Sequence, residues 1–196
     1  MGSMGDPGMS VEERWAQPLS LDALGNLTAQ WLEGSVHWSP WEGGSPPDSE
    51  TLPLVRSLAA MNRLGFLTDF SQPGIPDYQR ASVTGFCNKA QAECLASISL
   101  DGELVVLTEY PGVEATYELP ITQDKGRTFT VLPGRPIMDE TLGLHPRTLA
   151  LLAECHYVSI CDPRWGRDDV LWTSAVAALR RDPGSCTGSL VDPTAN

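Results

Sequence analysis

The chain is organised around residues 64–73, which read Leu64-Gly65-Phe66-Leu67-Thr68-Asp69-Phe70-Ser71-Gln72-Pro73. Gly65 is placed to end a helix, because glycine adopts the left-handed conformation of a C-terminal cap more easily than other residues. The apolar run after it predicts a short strand, and the Ser-Gln-Pro sequence that follows predicts a turn. Hydroxyl and amide groups therefore gather where the strand meets the turn, which indicates a place to hold a small polar ligand.

The segment before this stretch predicts a helix that begins after Asp48 or Ser49, either of which is a suitable N-cap. Glu50 and Thr51 would then lie in its first turn, where the helix dipole favours a carboxylate. Apolar residues recur at every third position and predict one buried face, formed by Leu52, Val55, Leu58 and Met61.

Other segments alternate between strand and helix patterns. An earlier helix is predicted from its N-cap Ser20 to Gly34. Strands are predicted at 78–86, 104–108, 117–121, 128–132 and 157–161, and helices at about 88–98, 145–154 and 168–181. The interleaving predicts an α/β or α+β fold with mixed β-sheets and flanking helices.

Composition divides the chain into three parts. Residues 1–12 lack periodicity and are expected to be a disordered N-terminus or an expression remnant, and residues 182–196 are expected to form a flexible tail. Residues 13–181 are expected to form one domain. The chain has 196 residues, of which 41% are hydrophobic, and this is enough for one good core.

Charge disfavours several classes of partner. The sequence contains 13 Lys and Arg and 25 Asp and Glu, so the formal net charge is -12. Such a chain repels the phosphates of nucleic acids and anionic membrane surfaces, so neither is an expected partner. No apolar run approaches the length of about 18 residues that a membrane helix needs, and the N-terminus lacks a signal pattern. We therefore expect a cytoplasmic protein.

The residues that usually carry metal or covalent chemistry form no motif here. The five cysteines contain no CxxC pair and are interpreted as four core thiols and a tail thiol, Cys186, so no metal site is predicted. The three histidines lie far apart, and no GxGxxG, Walker, GxSxG or HExxH motif occurs. Catalytic residues are consequently not identified.

A resemblance to a known family extends this interpretation. The run Met61-Asn62-Arg63-Leu64-Gly65-Phe66-Leu67-Thr68, followed by Ser71-Gln72-Pro73 and Tyr78-Gln79-Arg80-Ala81, resembles the C-terminal regulatory domain of eukaryotic-type methylenetetrahydrofolate reductase. Further blocks match in the same order: Pro40-Trp41 and Glu50-Thr51 upstream, then Pro133-Gly134-Arg135 and residues 156–179 downstream. Together they span roughly residues 15–181.

The resemblance implies a ligand and a set of contacts. That domain binds S-adenosylmethionine and S-adenosylhomocysteine. No flavin is expected, because the family's catalytic barrel with its flavin site is absent from this sequence, and the cysteine and histidine spacing predicts no metal. Its ligand contacts fall on Glu50, Thr51, Thr68, Ser71, Thr128 and Thr141, with Pro40 and Trp41 on an approaching loop. The last two threonines would supply the second half of a divided pocket. Trp41 is interpreted either as part of the lid of the core or as an aromatic wall for the ligand.

Three functions remain open on this basis. The first is a stand-alone sensor that binds the methyl donor or its product and acts on a partner enzyme. The second is a methyltransferase that uses the same pocket and a small methyl acceptor, since methyl transfer can depend mainly on positioning. The third is an interaction module with a degraded pocket. Retention of polar residues at all six contact positions argues against the third.

Overall fold

A four-stranded antiparallel sheet forms the centre of the computed structural model, which describes residues 9–101, 103–113, 117–137, 140–182, 184 and 186. Its strand order is β1 (Leu67–Gln72), β2 (Ser82–Cys87), β6 (His156–Cys161) and β3 (Val105–Glu109). A second sheet is the hairpin of β4 (Pro120–Asp124) and β5 (Arg127–Val131). Helices flank these sheets, so the predicted class is confirmed.

The helices are α1 (Val11–Trp15), α2 (Leu21–Leu32), α3 (Val55–Arg63), α4 (Lys89–Ser97), α5 (Pro146–Ala153) and α6 (Val170–Leu179). Short 3-10 helices occur at Leu52–Leu54, Ile98–Asp101 and Glu140–Leu142. Ser20 caps α2 as predicted, because its hydroxyl accepts a hydrogen bond from the backbone of Ala23. None of the helices in the described part of the chain has the length and apolar character that a membrane crossing needs.

The two faces of the main sheet are covered by different sets of helices, and α2 contributes to both sets. On one face, Val83, Val158 and Ile160 pack with residues of α2, α3, α4 and α6 in the largest core cluster. On the other face, Phe86 and Tyr157 pack edge to face, 5.0 Å apart, within a cluster that includes residues of α1, α2 and α5. The sheet therefore lies in the middle of a layered structure.

The β4–β5 hairpin covers one end of the second face. Ile121 and Leu132 pack against Cys161 of β6. The hairpin is held to the chain before β2 by hydrogen bonds from the Arg80 backbone to Ile121 (2.9 Å) and from the Gln123 backbone to Tyr78 (2.9 Å). These bonds place the hairpin beside the turn that follows β1.

Several predicted boundaries are wrong. Leu52 was predicted to face the core but is 59% exposed, because the segment before α3 is a turn and a 3-10 helix that contains Pro53. Glu50 and Thr51 therefore precede the helix instead of lying in its first turn. The predicted strand at 78–86 begins only at Ser82, since Ile75 and Gln79 first pair with each other across a tight turn.

The chain ends also differ from the predictions. The helix Val11–Trp15 was not predicted, and Trp15 is fully buried, so ordered structure begins before residue 13. Cys186 was interpreted as a free tail thiol but forms a disulfide with Cys94 of α4. Most of the tail predicted at 182–196 lies outside the described residues.

Candidate ligand-binding cleft

A cleft of about 250 Å³ opens between α2, the tryptophan loop at 38–47, the turn at 48–51, helix α3 and strand β1. Each of these five segments contributes residues to its wall. The lining residues are Thr28, Trp31, Leu32, Trp41, Glu42, Asp48, Thr51, Leu58, Thr68, Asp69, Phe70 and Ser71.

Thr68 is held at the cleft by Asn62, which is buried near the end of α3. The Asn62 side-chain amide donates to Thr68 Oγ1 (2.7 Å), and Asn62 Oδ1 accepts from the Thr68 backbone (3.2 Å). The same amide donates to the Leu58 carbonyl (2.9 Å). The Asn-x-x-Gly-x-Leu-Thr sequence thus joins the end of the helix to the strand through one side chain.

Asp69 occupies a β-bulge in β1. Thr68 pairs with Gly85 and Phe70 pairs with Thr84, so Asp69 is the extra residue between them. Gly85 permits this close approach, since a Cβ there would lie 2.3 Å from the Leu67 carbonyl oxygen. The bulge re-aims Asp69 toward the centre of the sheet.

The Asp69 carboxylate is bound on both oxygens. Thr84 Oγ1 donates to Oδ1 (2.7 Å), and the Tyr157 hydroxyl donates to Oδ2 (3.0 Å). Burial raises the pKa of the Asp69 carboxyl, while the hydrogen bonds from Thr84 and Tyr157 oppose that rise. Burial and the nearby Asp69 charge likewise raise the pKa of the Tyr157 hydroxyl. Asp69 is therefore a half-buried titratable group on the wall of the cleft.

The tryptophan loop is shaped by its own hydrogen bonds. Ser39 pairs with Gly43, and the Ser39 hydroxyl accepts from the backbones of Trp41 and Glu42 (3.2 Å each). The indole of Trp31 donates to the Ser45 carbonyl (3.2 Å), which ties the loop to α2. These bonds hold Trp41 and Glu42 beside the cleft.

Two buried polar atoms at the cleft have no hydrogen-bond partner in the described part of the chain, namely Thr28 Oγ1 and the indole nitrogen of Trp41. Thr28 is only 1% exposed. Thr51 and Ser71, which are partly exposed, also line the cleft. Because unsatisfied buried polar groups are costly, this set is suited to a polar ligand or ordered water.

The predicted site residues divide into two groups. Trp41, Thr51, Thr68 and Ser71 line the cleft together, although they come from three separate parts of the sequence. Glu50 and Pro40 adjoin lining residues without lining the cleft themselves. Glu50 is exposed, and Glu50 Oε2 accepts a hydrogen bond from Gln79 (3.3 Å).

Thr128 and Thr141 are not among the residues that line this cleft. Thr128 is exposed on β5, and Thr141 is exposed on the 3-10 helix Glu140–Leu142. The structure therefore does not bring these two threonines into this cleft. Contact between either threonine and a ligand stays a prediction.

Sequence patterns contained signals for two cleft residues that were missed. Thr28 lies on the same face of α2 as Leu24 and Trp31, so it is a polar residue within an apolar stripe. Asp69 stands between Thr68 and Ser71, and the glycine in the partner strand, Gly85, is a typical mark of a bulge or a close backbone approach. The described residues contain no group of three or more His, Cys, Asp or Glu that could hold a metal ion.

Comparison with known proteins places the chain in a family. The family model described as a domain of unknown function, DUF6919, matches residues 10–182. The chain belongs to this family. It is also 25% identical over 154 residues to a probable methylenetetrahydrofolate reductase (NADH) of Oryza sativa subsp. japonica, a match that covers 69% of this chain. A methylenetetrahydrofolate reductase (NADH) 1 of Zea mays is 25% identical over 157 residues, or 70% of this chain.

These matches support a distant relationship to methylenetetrahydrofolate reductase over most of the domain. The aligned region is only 26% of the length of each plant relative, so the chain spans about a quarter of those proteins. The activity in the names of the relatives belongs to the whole enzymes.

Proposed function

We propose that this chain binds S-adenosylmethionine or S-adenosylhomocysteine in the cleft and acts as a ligand sensor for a partner enzyme. The observation that carries the proposal is the meeting of Trp41, Thr51, Thr68 and Ser71 in one cleft. The resemblance implied these residues as ligand contacts, and the fold brings them together from separate segments. Their surroundings include polar atoms that lack partners within the described chain.

The chemistry of the cleft suits this ligand. The ribose hydroxyls and the adenine edge can bind the hydroxyls of Thr51 and Ser71, which are able to donate and accept. Trp31 and Trp41 line the cleft, and an indole ring can stack on a base or attract a cation. The volume of about 250 Å³ lies below the range of roughly 300–1,000 Å³ typical of ligand sites. We therefore expect the loop that carries Trp41 to move outward when the ligand binds.

Calorimetric titration with S-adenosylmethionine tests the proposal. Ser71→Ala and Thr51→Ala should each weaken binding by about fivefold to tenfold, the effect of losing one hydrogen bond of roughly 1 kcal/mol. Glu50→Ala should weaken it as well if Glu50 meets the ligand when the loop moves. Thr173→Ala is a matched control, because Thr173 is exposed on α6 and does not line the cleft. Absence of heat with both ligands would overturn the assignment and favour an interaction module.

A sensor needs a difference in affinity between two conformations of the protein. A ligand shifts an equilibrium only as far as it prefers one state over the other. Ligand binding that moves the Trp41 loop would favour one of two conformations that differ at the protein surface. A partner enzyme that contacts this loop would then respond to the ratio of methyl donor to product.

Asp69 supports a second candidate function, a methyltransferase. Asp69 lines the cleft, and burial raises the pKa of its carboxyl, which is the direction that favours a general base. In that reaction the lone pair of the acceptor attacks the methyl carbon, and the electron pair of the sulfur–methyl bond returns to sulfur. The acceptor proton passes to Asp69.

Product formation separates the two functions. The protein would be incubated with S-adenosylmethionine and a panel of small amines, thiols and hydroxyl compounds, and S-adenosylhomocysteine would be followed by chromatography. A sensor should form no S-adenosylhomocysteine beyond the amount that appears in buffer alone. Turnover that Asp69→Asn abolishes while binding persists would establish the methyltransferase instead.

A further inference from the structure

Acidic residues supply all the formal charge on the wall of the cleft. Glu42, Asp48 and Asp69 line it, and no Lys, Arg or His is among the described lining residues. A buried hydroxyl without a partner in the described chain, Thr28 Oγ1, lies on the same wall and independently indicates a ligand. The cleft is thus suited to a molecule with positive charge and polar edges.

The three carboxylates do not act equally. Glu42 and Asp48 are exposed, so water and salt screen their charges strongly. Asp69 is half-buried on the bulge and is held by Thr84 and Tyr157. A charge in a less polar environment interacts more strongly with a nearby ligand charge. Asp69 therefore contributes most to any discrimination by charge.

We infer that Asp69 makes the cleft select the cationic sulfonium of S-adenosylmethionine over the neutral thioether of S-adenosylhomocysteine. The inference rests on the proposed function and adds a specificity-determining residue to it. The two ligands differ by one methyl group and one positive charge at sulfur. A carboxylate beside the cleft attracts only the charged form, whereas the hydroxyls and indoles meet both forms alike.

Occupancy by the cation also favours the ionised form of Asp69. Burial alone favours the neutral acid, and a positive charge nearby opposes that effect. The hydrogen bonds from Thr84 and Tyr157 remain available to the carboxylate in the bound state. Ligand charge and carboxylate charge thus stabilise each other.

Titration calorimetry with three probes tests the inference. S-adenosylmethionine and S-adenosylhomocysteine are compared with sinefungin, an analogue that carries an ammonium group in place of the methylated sulfur. The unaltered protein should bind both cationic probes about tenfold more tightly than the neutral one, as one charge pair in a partly buried site allows. Asp69→Asn should bring the three affinities to within about threefold by weakening the cations alone.

Asp124→Asn is the control, since Asp124 is exposed at the end of β4 and does not line the cleft. Asp124→Asn should leave the preference for the cationic probes unchanged. Asp69→Glu keeps a carboxylate and should still bind the cationic probes more tightly than the neutral one. Should Asp69→Asn fail to fold, Glu42→Gln and Asp48→Asn remove the other two carboxylates of the cleft. The preference for the cationic probes should survive both changes, and its loss in either variant would overturn the role of Asp69.

The outcomes separate this inference from the proposed function. Equal or tighter binding of the neutral ligand would overturn the role of Asp69 and leave the binding site standing. The role of Asp69 would also be overturned if Asp69→Asn kept the full preference for the cationic probes, or if it lowered the affinity for all three probes by the same factor. If no probe binds, the proposed function fails and the inference fails with it.

Discussion

Two side chains at the cleft lower the stability of the fold. Asp69 brings a carboxylate to a half-buried position, and Thr28 leaves a hydroxyl without a partner in the described chain. Both features cost folding free energy, because buried polar and charged groups lose their hydration. Such costs are typical of functional positions.

Asp69 should give a measurable dependence of stability on pH. Burial raises its pKa in the folded state above that of the unfolded chain, so the folded protein binds this proton more tightly. The resulting contribution to stability is fully present below about pH 3.9, the unfolded value, and is lost as the pH rises through the folded pKa.

Urea unfolding of the native protein and of Asp69→Asn at several pH values tests this sign. The other carboxylates titrate in both proteins and cancel in the difference. Because the asparagine side chain of the variant cannot ionise, the stability of Asp69→Asn relative to the native protein should increase from about pH 4 toward neutrality. A difference that stays constant over this range would contradict the burial of the Asp69 charge.

At the scale of elements, the cleft depends on the bulge in β1 and on the joint between α3 and that strand. Asn62 provides the joint through its hydrogen bonds to Thr68. Gly85 allows β1 to approach β2 closely at the bulge. Both residues act on the position of the predicted ligand contacts without lining the cleft themselves.

Gly85→Ala should therefore damage the cleft. The added Cβ would lie 2.3 Å from the Leu67 carbonyl oxygen and 3.0 Å from Thr68 Cα, so β1 has to shift. We expect a loss of about 1–3 kcal/mol in unfolding free energy, as overpacking usually causes, together with weaker binding of S-adenosylmethionine. Urea unfolding and calorimetry measure the two effects.

Gly134→Ala is the matched control for that variant. A Cβ at Gly134 meets its nearest neighbour, Glu109 Oε1, at an ordinary contact distance of 3.6 Å. It should leave stability and binding nearly unchanged. Native stability and affinity in Gly85→Ala would show that the bulge does not position the cleft.

Local signals explain which elements could be predicted from the sequence. Helix α2 has a capping serine and a clear apolar stripe, and the Gly65 cap has the positive φ of +87° that the sequence indicated. The start of α3 was misplaced because Asp48, which does accept a hydrogen bond from Thr51, caps a turn and not the helix. Regular spacing of apolar residues cannot distinguish these two structures.

The sequence patterns do not predict which distant segments of the chain come together in the fold. The resemblance named Thr68 and Thr128 as partners in one pocket, but the pairing of β4 with β5 leaves Thr128 exposed on its hairpin. The position of a hairpin depends on contacts with distant residues, here the backbone bonds at Tyr78 and Arg80. The bulge at Asp69 likewise requires knowledge of its partner strand.

For the molecule as a whole, a disulfide links the last described residue to the core. Cys94 lies in α4 and Cys186 follows α6, with a sequence separation of 92. Such a distant pairing carries no local signal, which explains why Cys186 was interpreted as a free thiol. Within the described chain the free cysteines are Cys87, Cys155 and Cys161, all buried.

Cys186→Ser should lower the free energy of unfolding by about 2–4 kcal/mol, because the disulfide restricts the unfolded chain. Ligand affinity should not change, since neither linked cysteine lines the cleft. A reductant should bring the native protein to the stability of the variant and should leave the variant unaffected. Thiol titration of unfolded, unreduced protein that finds all five cysteines free would contradict the link.

The claim that the ligand occupies the cleft is tested by diffraction from crystals grown with S-adenosylmethionine. We predict difference density between Trp41, Thr68 and Ser71, with the sulfonium on the side of Asp69 and the Trp41 loop displaced outward. A saturated protein whose ligand density lies elsewhere, with the cleft unchanged, would contradict this claim.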